Sequence, residues 1–443
     1  MAWEKIPAVA LNQIYDYLSF EDLKVVSTCC WSWRTNFFQR RYFKNFRFHI
    51  DVALDDQLAF FHCFMCNLAQ EVSISFDLNN AGQAQKMRRL LNKVARSDNI
   101  RALRLQTSNV GVASAANSLT DNVVAMEQTF IEPLRLLLSR VSQPCQILDL
   151  GAIEALTYYG DDLLQALANP QELLELTLAS IKYDPSHYPI LTLDTSLLQK
   201  CAGLQVLSLD YDSLNDEMLH TIQVLPLRKL LIAVHGLDSE EQAGACDAAW
   251  VRFSEHFENI QLVLTLIYAY EAVEQLEVSI LRRHMPVTHI RLLFCEFMNR
   301  TAIDWMARYF TNTLQSIYYI DTVNKYHGRS DLRFIQHEDP LVMLAWCCKK
   351  LEEIVVHGYA MDPHNLVGIA RLRGRHLKRL EVSQICWNNA ALTNAFNDEM
   401  SGLLGHEWQP CIVEQLPAGL RAPVDFNARD QYVYELMRKD LSD

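Results

Sequence analysis

The residues best able to do chemistry are cysteines and histidines, and their spacing favours packing over metal binding. Cys63 and Cys66 form a CxxC pair, the spacing at which two thiolates can hold a zinc ion. A zinc site needs a second pair of ligands at a matching distance, and none follows. His62 is adjacent, but one histidine and two cysteines in an apolar segment are typical of a core. We therefore expect no metal and no cofactor here.

The carboxylates and sequence motifs also predict no catalytic site. Glu240-Glu241 and Glu352-Glu353 are adjacent pairs, so on a strand the two side chains of each pair point to opposite faces. The cysteines lack the helix start or basic neighbour that lowers a thiol pKa. There is no P-loop, no GxGxxG after a strand, no GxSxG and no HExxH motif. We therefore expect a protein that is not an enzyme.

Composition and charge exclude further classes of function. The 443 residues include 40 basic and 53 acidic side chains, a net charge of −13, whereas a nucleic-acid-binding protein needs a basic face. The N-terminus lacks the pattern of a secretory signal, and no apolar run is long enough to span a bilayer. The twelve cysteines are then expected to be reduced. We expect a cytoplasmic or nuclear protein that binds neither nucleic acid nor membrane.

An apolar signature returns eleven times beyond residue 68 and organises most of the chain. Each copy has apolar residues at its first, fourth and sixth positions, as in Leu204, Leu207 and Leu209, and the copies recur roughly every 30 residues. The alternation predicts a short strand, and residues such as Leu219 and Ile222 predict a helical return. Neither element buries its apolar side alone, so successive units are expected to stack into a shared core.

This pattern resembles an irregular leucine-rich-repeat array and predicts an α/β fold, a horseshoe-shaped solenoid over residues 49–383. The alternative is a doubly wound α/β enzyme, which also alternates strands and helices. Two longer segments, 106–146 and 321–340, predict surface insertions, and the sequence does not indicate a role for the second. Residues 384–443 lose the period, and they predict a C-terminal cap or tail with a last helix near Tyr432 to Arg438.

The N-terminal stretch predicts a small helical unit. Pro7 suits the first turn of a helix, and Leu11, Ile14 and Leu18 then recur at steps of three and four residues. A second helix is expected from Glu21 to the Trp33-Arg34 pair. A unit of about forty residues is too small to bury a sufficient core by itself. It therefore needs a partner or a neighbouring domain to cover its apolar side.

These residues resemble an F-box, which we assign to residues 1–48. The resemblance rests on Ile6-Pro7, Leu11, Ile14-Tyr15, Tyr17-Leu18, Asp22-Leu23, Cys30 and Trp33-Arg34. Val9 stands where the family usually has Glu, which puts the acidic contact at that position in doubt. The run 338–382 is similar to the C-terminal repeats of proteins that combine an F-box with such an array. The resemblance implies docking onto the Skp-family adaptor of a cullin-RING ubiquitin ligase through Ile6, Pro7, Leu11, Ile14 and Leu18.

The same resemblance implies a substrate-recognition subunit of an SCF (Skp-cullin-F-box) E3 ligase. A protein substrate would bind the repeat surface, where strand residues between the apolar anchors are expected to face the concave side. These are Arg104, Asp149, Asp210, Tyr211, Arg291, Tyr318, His357 and Glu381. The alternatives are an interaction scaffold without ubiquitin transfer, or an α/β enzyme. The sequence does not indicate the substrate, its degron or the oligomeric state.

Overall fold

The structure is a computed structural model of the chain. It describes residues 5–18, 20–38, 44–50, 59, 68–77, 80–107, 123–236, 244–323, 339–386 and 393–442. The Cys63 and Cys66 pair, the Glu240-Glu241 pair and residues 324–338 lie outside these ranges. The predictions made for them stay predictions.

Three short helices form the N-terminal unit. The first follows Pro7 directly, as the fixed φ of proline favours. The three are α1 (Ala8–Tyr15), α2 (Phe20–Val26) and α3 (Trp31–Phe37).

The sequence analysis expected a single second helix, and this expectation is wrong. The helix is interrupted between α2 and α3. The Ser27 hydroxyl donates to the Lys24 carbonyl at 2.6 Å, and the Thr28 hydroxyl donates to the Val25 carbonyl at 2.7 Å. Such local bonds offer the backbone an alternative to continuing the helix. Cys30, just before α3, has an extended backbone.

The rest of the described chain contains one twelve-stranded parallel sheet whose strand order is the chain order. Each of the eleven copies of the apolar signature contributes to one of the strands β2 to β12, whereas β1 was not predicted. The strands are β1 (Asn45–His49), β2 (Glu71–Phe76), β3 (Ala102–Thr107), β4 (Ile147–Asp149), β5 (Glu175–Thr177), β6 (Val206–Asp210), β7 (Lys229–Val234), β8 (Gln261–Ile267), β9 (Val287–Leu293), β10 (Ser316–Ile320), β11 (Glu353–Met361) and β12 (Arg379–Ile385).

The apolar anchors of neighbouring strands lie side by side. Leu148, Leu176, Leu207, Leu230 and Leu262 are paired in register from β4 to β8, and all are buried. The repeat period of the sequence thus sets the register of the sheet. The described strand order contains no reversal, whereas a doubly wound sheet reverses its order at a switch point.

Helices between the strands bury the first face of the sheet in one continuous apolar core. They are α4 (Ala84–Ala95), α5 (Val123–Met126), α6 (Glu132–Leu138), α7 (Glu154–Thr157), α8 (Gly160–Gln165), α9 (Thr195–Gln199), α10 (Asp216–Ile222), α11 (Asp247–His256), α12 (Tyr270–Glu274), α13 (Arg300–Tyr309), α14 (Pro340–Cys347) and α15 (Pro363–Arg373). Two more helices follow β12: α16 (Thr393–Leu404) and α17 (Phe426–Ser442). Within the described residues, none of the helices has the length and apolar character required to cross a bilayer.

The two C-terminal helices cover different parts of the sheet. α16 packs on α15, and Trp408 donates its indole N–H to the Leu380 carbonyl at 2.7 Å, so this end of the first core is closed beyond β12. α17 instead lies on the second face. There Val433, Tyr434 and Leu436 join a separate buried cluster with strand residues such as Ile267. Both faces of the sheet are therefore buried where α17 lies.

Candidate functional site

The N-terminal helices have one side that packs inward and one side that faces solvent. Leu11 and Tyr15 are almost fully buried, and the Tyr15 hydroxyl donates to the Trp33 carbonyl at 2.7 Å. Leu23 and Phe37 complete the inward side. These contacts hold the three helices together and leave the other side available.

Four large apolar side chains of this unit are exposed. Val9 is 73%, Tyr17 90%, Val25 67% and Trp31 80% exposed. Single exposed apolar residues are ordinary on protein surfaces, but larger apolar patches are typical of contact surfaces. Four within one short helical unit indicate a surface for a partner.

The five residues predicted to bind an adaptor divide between the two sides. Leu11 is fully buried, and Ile6 and Leu18 are half-buried against the protein's own core. Pro7 is exposed and Ile14 is half-buried. Leu11 therefore supports the fold, and the contact of all five with an adaptor stays a prediction.

The second candidate site is the sheet surface predicted to bind a substrate. The sequence analysis expected these residues on an open concave surface, but most of them are buried. Arg104 and Glu381 are partly exposed. Tyr211 packs in the first core, on the helix side of the sheet. The others are almost fully buried as well: Asp149, Asp210, Arg291, Tyr318 and His357. Their contact with a substrate stays a prediction.

Burial of these residues follows in part from α17, which is fixed to the sheet by charged and polar contacts. The Arg291 guanidinium, 2% exposed, donates to both carboxylate oxygens of Asp440 at 2.8 and 3.1 Å. The Lys229 ammonium donates to the Asp440 carbonyl at 2.8 Å and so satisfies a carbonyl at the helix end. The Tyr434 hydroxyl donates to the Leu105 carbonyl at 3.2 Å.

A network of hydrogen bonds runs from this ion pair across the next strands. Arg291 donates to the Ser316 hydroxyl, and Ser316 donates to the Glu353 carboxylate, each at 2.7 Å. The Tyr318 hydroxyl donates to Glu353 at 3.0 Å and accepts from Arg379 at 2.6 Å. Burial raises the pKa of the Glu353 carboxyl, but the bonds from Ser316 and Tyr318 and the Arg291 charge lower the pKa below its ordinary value.

The network ends on β12 beside a buried histidine. Arg379 holds both carboxylate oxygens of Glu381, at 2.7 and 2.9 Å. His357 Nε2 lies 3.8 Å from the same carboxylate. Burial alone would raise the pKa of Glu381, but His357 and Arg379 bring it to about 2. This carboxylate is therefore ionised at neutral pH.

A polar cleft of about 490 Å³ opens at the amino ends of β8 to β11, beside the end of α17. It is lined by His289, Arg291 and Glu353, among others. Burial and the Arg291 charge lower the pKa of His289 to about 4, so its imidazole is neutral at pH 7. Because the cleft contains charges of both signs, it favours neither an anion nor a cation.

Asp210 belongs to a separate buried cluster beyond the ends of β5 to β7. The Lys182 ammonium lies 2.9 Å from its carboxylate, the Ser180 hydroxyl donates to it at 2.7 Å, and His235 Nε2 lies 3.6 Å away. Lys182 also lies over the Tyr188 ring at 4.7 Å from its centroid. Burial would raise the pKa of Asp210, but Lys182 and His235 hold it at about 2. This arrangement stabilises buried charge and does not present it to a ligand.

The structure also brings together a basic–aromatic surface that the sequence analysis did not identify. It lies at the C-terminal ends of α13, α14 and α15, which pack side by side. The Lys349 amide donates to the Thr311 carbonyl at 3.1 Å, and Arg373 donates to the Leu351 carbonyl at 3.3 Å, so these ends are linked. Its exposed members are Arg308, Tyr309, Trp346, Lys349, Lys350, Arg371 and Arg375.

This chain resembles known proteins in two comparisons. Residues 3–37 match the model of the F-box domain, which confirms the resemblance found in the sequence. The chain therefore has an F-box domain at α1 to α3.

The chain is also 28% identical over 270 residues to F-box only protein 33 of Homo sapiens, a match that covers 59% of this chain and 46% of the relative. It is also 28% identical over 270 residues to F-box only protein 33 of Mus musculus, covering 56% and 46%. The chain thus spans about half the length of these relatives.

We expect the stability of the Asp210 cluster to depend on pH. The lowered pKa means that ionised Asp210 stabilises the fold fully above pH 3.8, its ordinary pKa, and that this is lost as the pH falls toward about 2. The loss amounts to roughly 2 kcal/mol. Urea unfolding of wild type and Asp210→Asn between pH 6 and 2.5 isolates this contribution. The difference between their free energies of unfolding should shrink as the pH falls. Asp184→Asn, an exposed carboxylate of the neighbouring segment, should run parallel to wild type.

We also expect Asp440→Ala to loosen α17. The substitution leaves the buried Arg291 guanidinium without its carboxylate, and breaking such a pair costs about 3–5 kcal/mol. Hydrogen exchange of the α17 amides should become faster, with a smaller increase at β9. Glu435→Ala removes an exposed carboxylate from the same helix and should leave exchange unchanged. Equal exchange in both variants would mean that the ion pair does not hold the helix.

Proposed function

We propose that this chain is the substrate-recognition subunit of an SCF E3 ubiquitin ligase, working in the cytoplasm or nucleus. The observation that carries the proposal is the F-box domain with its four exposed apolar side chains. The relatives are themselves F-box proteins by name. In this role the chain performs no catalysis, and ubiquitin transfer belongs to other subunits of the ligase.

The F-box would dock onto a Skp-family adaptor through the outer side of its helices. Residues three or four positions apart share a helix face, so Pro7, Ala10 and Ile14 form one stripe, and Tyr17 follows directly after it. Pro7 and Tyr17 are exposed, and Ala10 and Ile14 are half-buried. Val9 and Trp31 add exposed area. Burying an apolar side chain of this size contributes about 1.5–3 kcal/mol, so a few such contacts supply the affinity of a stable complex.

We further propose that strands β2 to β12 and their helices form an irregular leucine-rich-repeat solenoid. The sequential parallel order and the in-register leucines from β4 to β8 support this proposal. Such an array gives the chain a long scaffold on which separate positions can serve adaptor and substrate.

The substrate would bind the basic–aromatic surface, because α17 occupies much of the face that the sequence favoured. Trp346 is 68% exposed, and Arg371 has 65% of its side chain exposed although it pairs with Glu399. Tryptophan and arginine are over-represented among the residues that dominate contact energies. In a chain of net charge −13, a local group of exposed basic residues favours an acidic segment of another protein.

We expect Tyr17→Asp to lower adaptor affinity by about tenfold to a hundredfold, since it removes an apolar contact from the interface. Titration calorimetry with a purified Skp-family adaptor measures this, and thermal unfolding shows whether the fold is retained. Val278→Asp, which changes a 74% exposed valine outside the F-box, is the matched control. Ile14→Asp adds a second test. If it unfolds the whole protein, Ile14 is a core residue, and unchanged affinity in both F-box variants would refute docking through this side.

We expect Lys349→Glu/Lys350→Glu and Trp346→Ala each to abolish substrate capture while adaptor binding stays intact. Affinity purification followed by mass spectrometry compares these variants with wild type and with a chain lacking residues 1–48. Some proteins should be captured by wild type and by the chain lacking residues 1–48 but not by the surface variants. A reconstituted ligase should ubiquitylate these proteins. The control is Arg89→Glu/Arg96→Glu, which makes the same change of charge as Lys349→Glu/Lys350→Glu. It replaces two exposed arginines, one on α4 and one just after it. Partners that are captured but never ubiquitylated would favour the interaction scaffold.

A further inference from the structure

His357, Glu381 and Cys411 bring three potential metal ligands together on the second face of the sheet. One donor atom from each lies within 4.8 Å of the other two. His357 is on β11 and Glu381 on β12, whereas Cys411 is in the segment between α16 and α17. The three are far apart in sequence, so no short spacing motif marks them.

The backbone fixes the relative position of the three residues. Val355 pairs with Glu381 in the sheet, and His357 is two residues further along β11, so both side chains lie on the same face. The Cys411 amide donates to the Val382 carbonyl at 2.8 Å, which aligns its segment with β12. Little backbone movement would therefore be needed to bind an ion.

Hydrogen bonds to the described residues do not explain why the buried His357 ring is held in this position. It is 3% exposed, and its Nδ1 is buried with no hydrogen-bond partner among the described residues. The 3.8 Å between Nε2 and the Glu381 carboxylate is too long for a hydrogen bond. Two ligands of a tetrahedral zinc ion are separated by about 3.4 Å, from metal–ligand distances of about 2.0–2.2 Å. The observed spacing thus lies closer to ligand spacing than to a hydrogen bond.

Arg379 is compatible with this use of Glu381. It donates to Oε1 through Nε at 2.7 Å and to Oε2 through Nη2 at 2.9 Å. A carboxylate oxygen has more than one lone pair, and ligating carboxylates commonly accept hydrogen bonds from a second group that orients them. The guanidinium charge lowers affinity for a cation, so thiolate and carboxylate together must balance the metal charge.

We propose that His357, Glu381 and Cys411 form a zinc site, with three protein ligands and a fourth position for water. Nitrogen, oxygen and thiolate ligands in this combination are typical of zinc. Binding forms a Zn–S bond as the Cys411 thiol releases its proton to solvent. The ion ties the segment that precedes α17 to β11 and β12, and so fixes the point from which the chain crosses the second face.

Cobalt binding to the full chain tests the proposal directly. Cys63→Ser/Cys66→Ser serves as the parent, because that CxxC pair is itself a possible thiolate site. Co²⁺ should give a thiolate-to-cobalt charge-transfer absorption at one equivalent per chain, and Zn²⁺ should displace it. Cys411→Ser should abolish the absorption. Cys386→Ser, which replaces a half-buried cysteine directly after β12, should keep it. Glu381→Gln should weaken zinc binding by at least about tenfold.

Stability measurements separate ligand loss from misfolding. Zinc should raise the melting temperature of the parent and of Cys386→Ser but not that of Cys411→Ser, because a ligand that binds only the folded state stabilises it. Without metal, Cys411→Ser and the parent should melt alike. If Cys411→Ser does not fold, His357→Gln replaces it. An absorption that is absent from the parent, or that persists in the ligand variants, overturns the proposal.

Discussion

The fold depends on burial of both faces of a single parallel sheet. The return helices cover one face along the chain, but they leave the other face to be covered by something else. β7 and β10 are buried at every position, and after their first residues, Lys229 and Ser316, their alternate residues are apolar on both sides. α17 supplies the second cover. The C-terminal helix is thus part of the core and not an appendage to the array.

Buried charge determines how α17 sits on the sheet. A guanidinium or ammonium removed from water is strongly destabilising unless a carboxylate or several carbonyls replace its hydration. Arg291 needs Asp440, and Lys229 needs the carbonyls at the end of α17, so only one placement of the helix satisfies both. Apolar contact alone would allow the helix to slide. The ionic contacts therefore mainly determine which of the alternative placements α17 adopts on the sheet.

Local patterns of the sequence predicted much of this structure, whereas contacts between distant segments were not accessible. The strands β2 to β12 follow from a short apolar spacing, because the same positions must be buried in each unit. β1 was missed, since Phe46 and Phe48 fall within residues 1–48, which were assigned to the F-box. The buried state of Arg291 and Tyr318 depends on residues more than a hundred positions away. A signal was available in the unbroken apolar runs Leu230 to Val234 of β7 and Ile317 to Ile320 of β10, which indicate two covered faces.

The order of the strands also determines how far apart the two proposed contact surfaces lie. β1 follows the F-box helices, and the basic–aromatic surface adjoins β10 to β12. β10 is nine positions from β1 in the sheet. At about 4.8 Å for each step this is roughly 40 Å along the sheet. Because the stacked units are joined by a continuous core, they resist bending, so adaptor and substrate would be held apart at a nearly fixed distance. A fixed separation keeps the local concentration of a captured substrate high at one place, whereas a flexible linker would spread it over a larger volume.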